Sequence, residues 1–227
     1  YFIRALENMN LMEKTAVIFT TDHGFYFGEH GGLFGKMTQA SQTDGTAHRV
    51  HAAGGSWGHS LLYEELVACP LLIYTPDSPP GVCNGLTSAI DLMPTILDFM
   101  GHEIPSRIEG NSLLPMIQAP TTAGREFVVS AFPFTNEGDM VRFVHDMSSR
   151  MDKASTTTIT TENWSFLHAV DAGLSELYYL PADPNQEKNV INQHPETARE
   201  MHQMFVKFLR ETNVDPRLVE PRLELRL

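Results

Sequence analysis

The stretch Thr15-Ala16-Val17-Ile18-Phe19-Thr20-Thr21 constrains this chain most, because an apolar, β-branched run stops abruptly at Asp22-His23-Gly24. A run that short, bounded by polar residues, predicts a buried strand of an α/β sheet. Polar residues where a parallel strand runs out lie where such sheets build their sites. Pro70-Leu71-Leu72-Ile73-Tyr74-Thr75 repeats the pattern, with Pro70 at the first position, which a strand tolerates.

The flanking sequence reads as helix. Apolar residues at Phe2, Ile3, Leu6 and Met9 are close to helical spacing, and a chain that opens inside such a helix is expected to be a piece of something longer. Leu61–Leu66 predicts a helical turn. Asp91–Gly101 predicts a helix that Asp91 caps and Gly101 ends. Beyond residue 118 the texture changes to short strands, at 127–129, 141–144, 164–167 and 176–180. A final helix follows over 195–211, with Ala198, Met201, Met204, Phe205, Phe208 and Leu209 on one face. The division expected from this is an α/β part over 1–118 and a small α+β subdomain over 119–227. Residues 37–58 lack apolar periodicity and read as a long loop or insertion.

Composition narrows the function. With 227 residues and a net charge of −12, the chain is no general nucleic-acid binder, which needs a basic surface. No apolar run approaches the ~20 residues of a membrane helix, and the opening has no signal-peptide pattern, so localisation stays open. Two cysteines, Cys69 and Cys83, make neither a disulfide framework nor a Cys-based zinc site.

The candidate chemistry begins with Asp22 and His23, a carboxylate and an imidazole that supply half of a divalent-metal site; the same triplet with Gly24 also reads as a plain turn. Lys36 and His59 are candidate cations for an anionic group; their bland readings are a solvated lysine and a histidine capping the next helix. Gly54-Gly55-Ser56-Trp57-Gly58 matches a nucleophile-elbow pattern, but no core strand precedes it, so the match reads as chance. His48 and His51 read as loop histidines, and Asn163-Trp164-Ser165 as a fortuitous glycosylation sequon within a strand.

These segments in order resemble the sulfatase family of the alkaline phosphatase superfamily. The resemblance runs through Thr21-Asp22-His23-Gly24, Gly28-Glu29-His30-Gly31 and Leu62-Tyr63-Glu64-Glu65 into Cys69-Pro70-Leu71-Leu72-Ile73. It continues through Asp91–Asp98 and Ile108–Pro115, and returns in Glu176-Leu177-Tyr178-Tyr179-Leu180 with Asp183-Pro184. The resemblance implies a mixed central sheet flanked by helices and a small C-terminal antiparallel subdomain. It implies hydrolysis of a sulfate ester, in a small molecule or glycan, by a formylglycine made from Cys or Ser in Cys/Ser-x-Pro-x-Arg. It also implies a divalent ion, calcium by family habit, with Asp22 and His23 as two of its ligands.

Neither cysteine here is followed by Pro-x-Arg, and Glu103 occupies the oxidisable position in Glu103-Ile104-Pro105-Ser106-Arg107. The nucleophile and the remaining ligands are therefore expected upstream, and this chain alone is expected to be inactive. The family's sulfate-binding lysine falls on Lys36 counting forward and on His59 counting back from Tyr63; His59 is preferred because the helix and strand after it fix its position. A histidine there binds an anion best when protonated. His30 is expected either to orient the metal site from behind or to serve the turn alone. The alternatives are a phosphomonoester, phosphodiester or phosphonate hydrolase of the same superfamily, with manganese or zinc, and a non-catalytic remnant.

Overall fold

A computed structural model of the protein describes residues 1–38, 58–59, 61–120, 123–132, 134–136, 138–144, 147–150 and 156–227. The chain opens with α1 (Phe2–Asn8), β1 (Val17–Thr20), β2 (Tyr26–Phe27), α2 (Glu29–Gly32), β3 (Phe34–Gly35), β4 (Met37–Thr38) and β5 (Gly58–His59). There follow α3 (Glu64–Val67), β6 (Leu71–Tyr74), α4 (Leu92–Phe99) and α5 (Leu114–Gln118). The rest is β7 (Val128–Ser130), β8 (Met140–Val144), β9 (Met147–Arg150), β10 (Thr157–Thr160), β11 (Trp164–His168), β12 (Glu176–Tyr179), α6 (Pro195–Glu211) and α7 (Pro216–Val219). Among the described residues no helix is long and apolar enough to cross a membrane.

Two compact units emerge: Tyr1–Asp22 with Cys69–Val128, and His23–Ala68 with Val129–Leu227. Each is discontinuous in sequence, whereas the texture change at residue 118 suggests a continuous division.

In the first unit β1 and β6 pair antiparallel, with Ile18 opposite Ile73 and Phe19 opposite Leu72. The strand expectation is met, but parallel pairing and full burial are not. Phe19 is 62% exposed and Leu72 60%, because the two residues lie side by side on one open face of a two-stranded ladder. Helix α1 likewise buries none of its residues.

Asp91 departs from its expected role. Its side chain makes no cap bond to α4; it accepts instead from the backbone N–H of Ser88 and Asn111, both at 2.8 Å, and from the Arg125 guanidinium. Ser88 and Asp91 form a reciprocal capping box on the preceding 3-10 turn. Asp91 is 1% exposed, and the Arg125 partner holds its carboxyl below the usual range against the opposing effect of burial. Gly101 (φ +71°) ends α4 as expected.

The second unit carries a four-stranded sheet in the order β12-β11-β10-β7. Ile159, Phe166, Leu167 and Leu177 are fully buried there. Helix α6 spans the predicted residues, and its buried side is Ala198, Met201, His202, Phe205, Val206 and Leu209; Met204 and Phe208, expected on that face, are only partly covered. Strand β10, Thr157-Thr158-Ile159-Thr160, escapes a reading based on apolar runs because three of its four buried or part-buried residues are threonines. The predicted helix at 61–66 starts later, since Leu61–Tyr63 run extended into α3. Ser165 of the sequon is a fully buried strand residue.

Candidate functional site

Gly24 sets how closely the backbone after Asp22-His23 passes α3. A Cβ there would stand 1.8 Å from the Glu65 carbonyl oxygen, so only glycine lets this backbone pass α3. The approach is fixed by Gly24 N–H donating to Leu66 O (2.8 Å) and Phe25 N–H to Glu65 O (3.1 Å). The glycine thus serves close approach, where the sequence suggested freedom to leave the pleat.

Of the expected metal pair, Asp22 is exposed at the end of β1 and accepts from the Thr21 hydroxyl at 3.3 Å. Cys69 has its thiol pushed up by burial and, secondarily, by the Asp22 charge. His23 opens the second unit, with Nδ1 2.6 Å from Gly24 O. A carbonyl only accepts, so Nδ1 carries the proton and Nε2 presents its lone pair. That Nε2 lies 2.9 Å from Lys36 Nζ, which donates to it. Two residues chosen on separate grounds, a metal ligand and an anion-binding cation, therefore meet.

His59 is the candidate preferred from the sequence for the anion. Its backbone pairs with Met37 in the β4–β5 ladder, and Gly58 pairs with Thr38. The sequence separates Lys36 from His59 by a long irregular stretch, yet the ladder makes His59 the cross-strand partner of the residue after Lys36. The elbow-like Gly54–Gly58 motif falls mainly, and His48 and His51 wholly, outside the described residues. Glu103 is exposed in the loop after α4.

His30 adopts φ +51°, a left-handed conformation that histidine takes at a cost, and follows Gly28 at φ +125°. Its Nε2 meets Glu65 Oε2 at 3.0 Å, and its ring stacks on Tyr63 at 3.7 Å and 15°. Tyr63 is buried, and its hydroxyl donates to Glu176 Oε2 at 2.8 Å; Tyr178 donates to the same oxygen at 2.8 Å. Burial first, and the Glu176 charge second, push both phenols far up, so they stay protonated donors. Tyr26, fully buried, donates its hydroxyl to Leu61 O and accepts from Tyr63 N–H at 3.0 Å. The sequence reading passed over Glu65 and Glu176 as site residues; the signal available was their place in the Tyr-Glu-Glu and Glu-Leu-Tyr-Tyr segments.

Among the described residues no group of three or more His, Cys, Asp or Glu surrounds a cation position. The donors that are present suit a divalent ion in kind, a carboxylate on Asp22 and an imidazole on His23, although His23 Nε2 accepts from Lys36 Nζ here and would have to exchange that bond for a metal.

Comparison with known proteins places the chain in a family. The family described as "N-sulphoglucosamine sulphohydrolase, C-terminal" matches residues 54–214, and the family described as "Sulfatase" matches residues 1–102. Arylsulfatase K of Xenopus laevis is 30% identical over 202 residues, which is 88% of this chain and 32% of that protein. The chain therefore spans about a third of the length of the curated relatives it matches. A structure solved with its substrate D-glucosamine-2-N,6-O-disulfate has a TM-score of 0.65 at 24% identity, covering 95% of this chain and 38% of that one. The phosphonate monoester hydrolase of Silicibacter pomeroyi has a TM-score of 0.64 at 20% identity, covering 92% and 37%. The fold is thus the alkaline phosphatase-like one expected from the sequence.

Proposed function

Because the chain belongs to the sulfatase family, we propose that it supplies the anion-binding and part of the metal-binding machinery of a sulfuric ester hydrolase acting on a sulfated glycan or smaller sulfate ester. The observation that carries this reading is Lys36 Nζ at 2.9 Å from His23 Nε2, with His59 one ladder position away. The glycan class is suggested by the sulfated glucosamine bound to a protein of like fold.

Asp22 and His23 are the residues of this chain that would hold the divalent ion, calcium by family habit, with manganese or zinc as alternatives because imidazole suits them better. Such an ion, when bound, withdraws charge from the sulfate oxygens and lowers the cost of nucleophilic attack. His23 contributes a preset tautomer, its Nδ1 proton held by Gly24 O. Lys36 contributes an ammonium that, beside its bond to His23 Nε2, has further N–H donors to offer the negative charge that grows on the sulfate oxygens. His59 follows as the second candidate cation, placed by its backbone pairing with Met37. The nucleophile belongs to a part of the protein other than this chain, which contains no Cys/Ser-x-Pro-x-Arg.

The chain by itself is expected to turn over no aryl sulfate with calcium, whereas the full-length protein does so, and Lys36→Ala lowers its kcat/KM by about a hundredfold. Unchanged turnover in Lys36→Ala overturns the assignment. The phosphonate hydrolase of like fold favours one second reading, hydrolysis of a phosphorus ester. A kcat/KM for phosphonate monoesters above that for sulfate esters in the full-length protein would establish it.

A further inference from the structure

We infer that Glu176, Tyr63, Glu65 and His30 form a positioning relay that sets Lys36, so that the β10–β12 sheet governs how tightly the site holds an anion; this rests on the reading of Lys36 given above. The relay begins at Glu176, 6% exposed on β12, which takes the Tyr63 and Tyr178 hydroxyls on one carboxylate oxygen. Tyr63 lies 113 positions away in sequence, at the start of α3, and its ring is the platform for the His30 imidazole. Glu65, two residues on, grips the same imidazole through Nε2.

His30 is thus held on a face and at an edge while its backbone stays left-handed. That backbone turns the chain from β2 into β3, where Tyr26 pairs with Gly35 and Phe27 with Phe34. Lys36 is the next residue. The other strand of this hairpin is pinned by Tyr26, whose hydroxyl bridges Leu61 O and Tyr63 N. Both strands that deliver Lys36 therefore trace back to Tyr63, and Tyr63 to Glu176. Histidine at φ +51° carries a modest backbone cost, which the bonded and stacked ring helps to offset. None of these groups needs to touch substrate; they act through Lys36.

The test uses the full-length protein with an aryl sulfate as substrate and inorganic sulfate as inhibitor. Tyr63→Phe, Glu176→Gln and His30→Gln are each expected to raise KM and the sulfate inhibition constant by about tenfold, with a smaller change in kcat. Tyr63→Phe combined with Glu176→Gln should be no worse than the stronger single change, because both cut the same link. In a Lys36→Ala background the three changes should leave KM and the sulfate constant where Lys36→Ala alone puts them. A merely structural role would instead add its loss to that background, and this result overturns the relay.

A second readout needs no turnover: the rate of Lys36 acetylation by acetic anhydride, followed by mass spectrometry against the exposed Lys207. A several-fold change in the three variants supports the relay; equal rates in wild type and variants overturn it. A protein inactive toward every sulfate ester but showing the acetylation change refutes the proposed function and leaves the relay standing.

Discussion

The β1–β6 pair and the β10–β12 strands start from similar local sequence and end in opposite environments. Val17-Ile18-Phe19 is as apolar as Trp164-Ser165-Phe166-Leu167, yet Phe19 is 62% exposed and Phe166 fully buried. The difference lies in what this chain, about a third of its relatives' length, supplies to cover each. Helix α6 brings Phe205 and Leu209, both fully buried, to the second unit that holds β11, while the β1–β6 ladder has Leu72 beside Phe19 on an open face. An apolar run therefore specifies a strand, and a second element decides whether that strand becomes core.

Substitution breaks this comparison where it is strongest. Phe205→Ala removes a ring from the filled side of α6 and is expected to cost about 3–5 kcal/mol, read from the urea midpoint. Acidification is expected to act next. His168 is 2% exposed, beside His202 and Arg222; burial, then those two neighbours, pushes its imidazole down to about 3. The unfolded chain takes up that proton near pH 6.5 and the folded chain does not. Stability is therefore complete above pH 6.5 and falls toward pH 3, by at most about 1.4 kcal/mol per unit. His168→Gln should flatten that slope in melts taken between pH 6 and pH 4. Phe19→Ala, on the open ladder, is expected to cost under about 1 kcal/mol by the same urea measurement. A loss as large as that of Phe205→Ala would show that exposure here misstates what Phe19 contributes.

What the sequence revealed follows the range of the interactions involved. The strand before Asp22 and helix α6 were legible because apolar residues recur at a local period. Strand β10 was not, because buried threonines carry β-branching without hydrophobicity; Thr158 is fully buried and donates its hydroxyl to Leu62 O at 2.6 Å. Asp91 was read as a helix cap since capping is local, and its partner Arg125 lies far along the chain. At the candidate site, Asp22, His23, Lys36 and His59 were singled out as residues able to do chemistry, and their roles, with that of His30, came from the family resemblance. The 2.9 Å meeting of Lys36 with His23, the pairing of Met37 with His59 and the bond from Tyr63 to Glu176 depend on tertiary register that no local pattern encodes.

That pairing of β4 with β5 has a geometric consequence. Because Thr38 pairs with Gly58 and Met37 with His59, the backbone spacing of Lys36 and His59 is set by the ladder itself. If Lys36 and His59 bind the anion as proposed, their mutual placement is inherited from this short ladder.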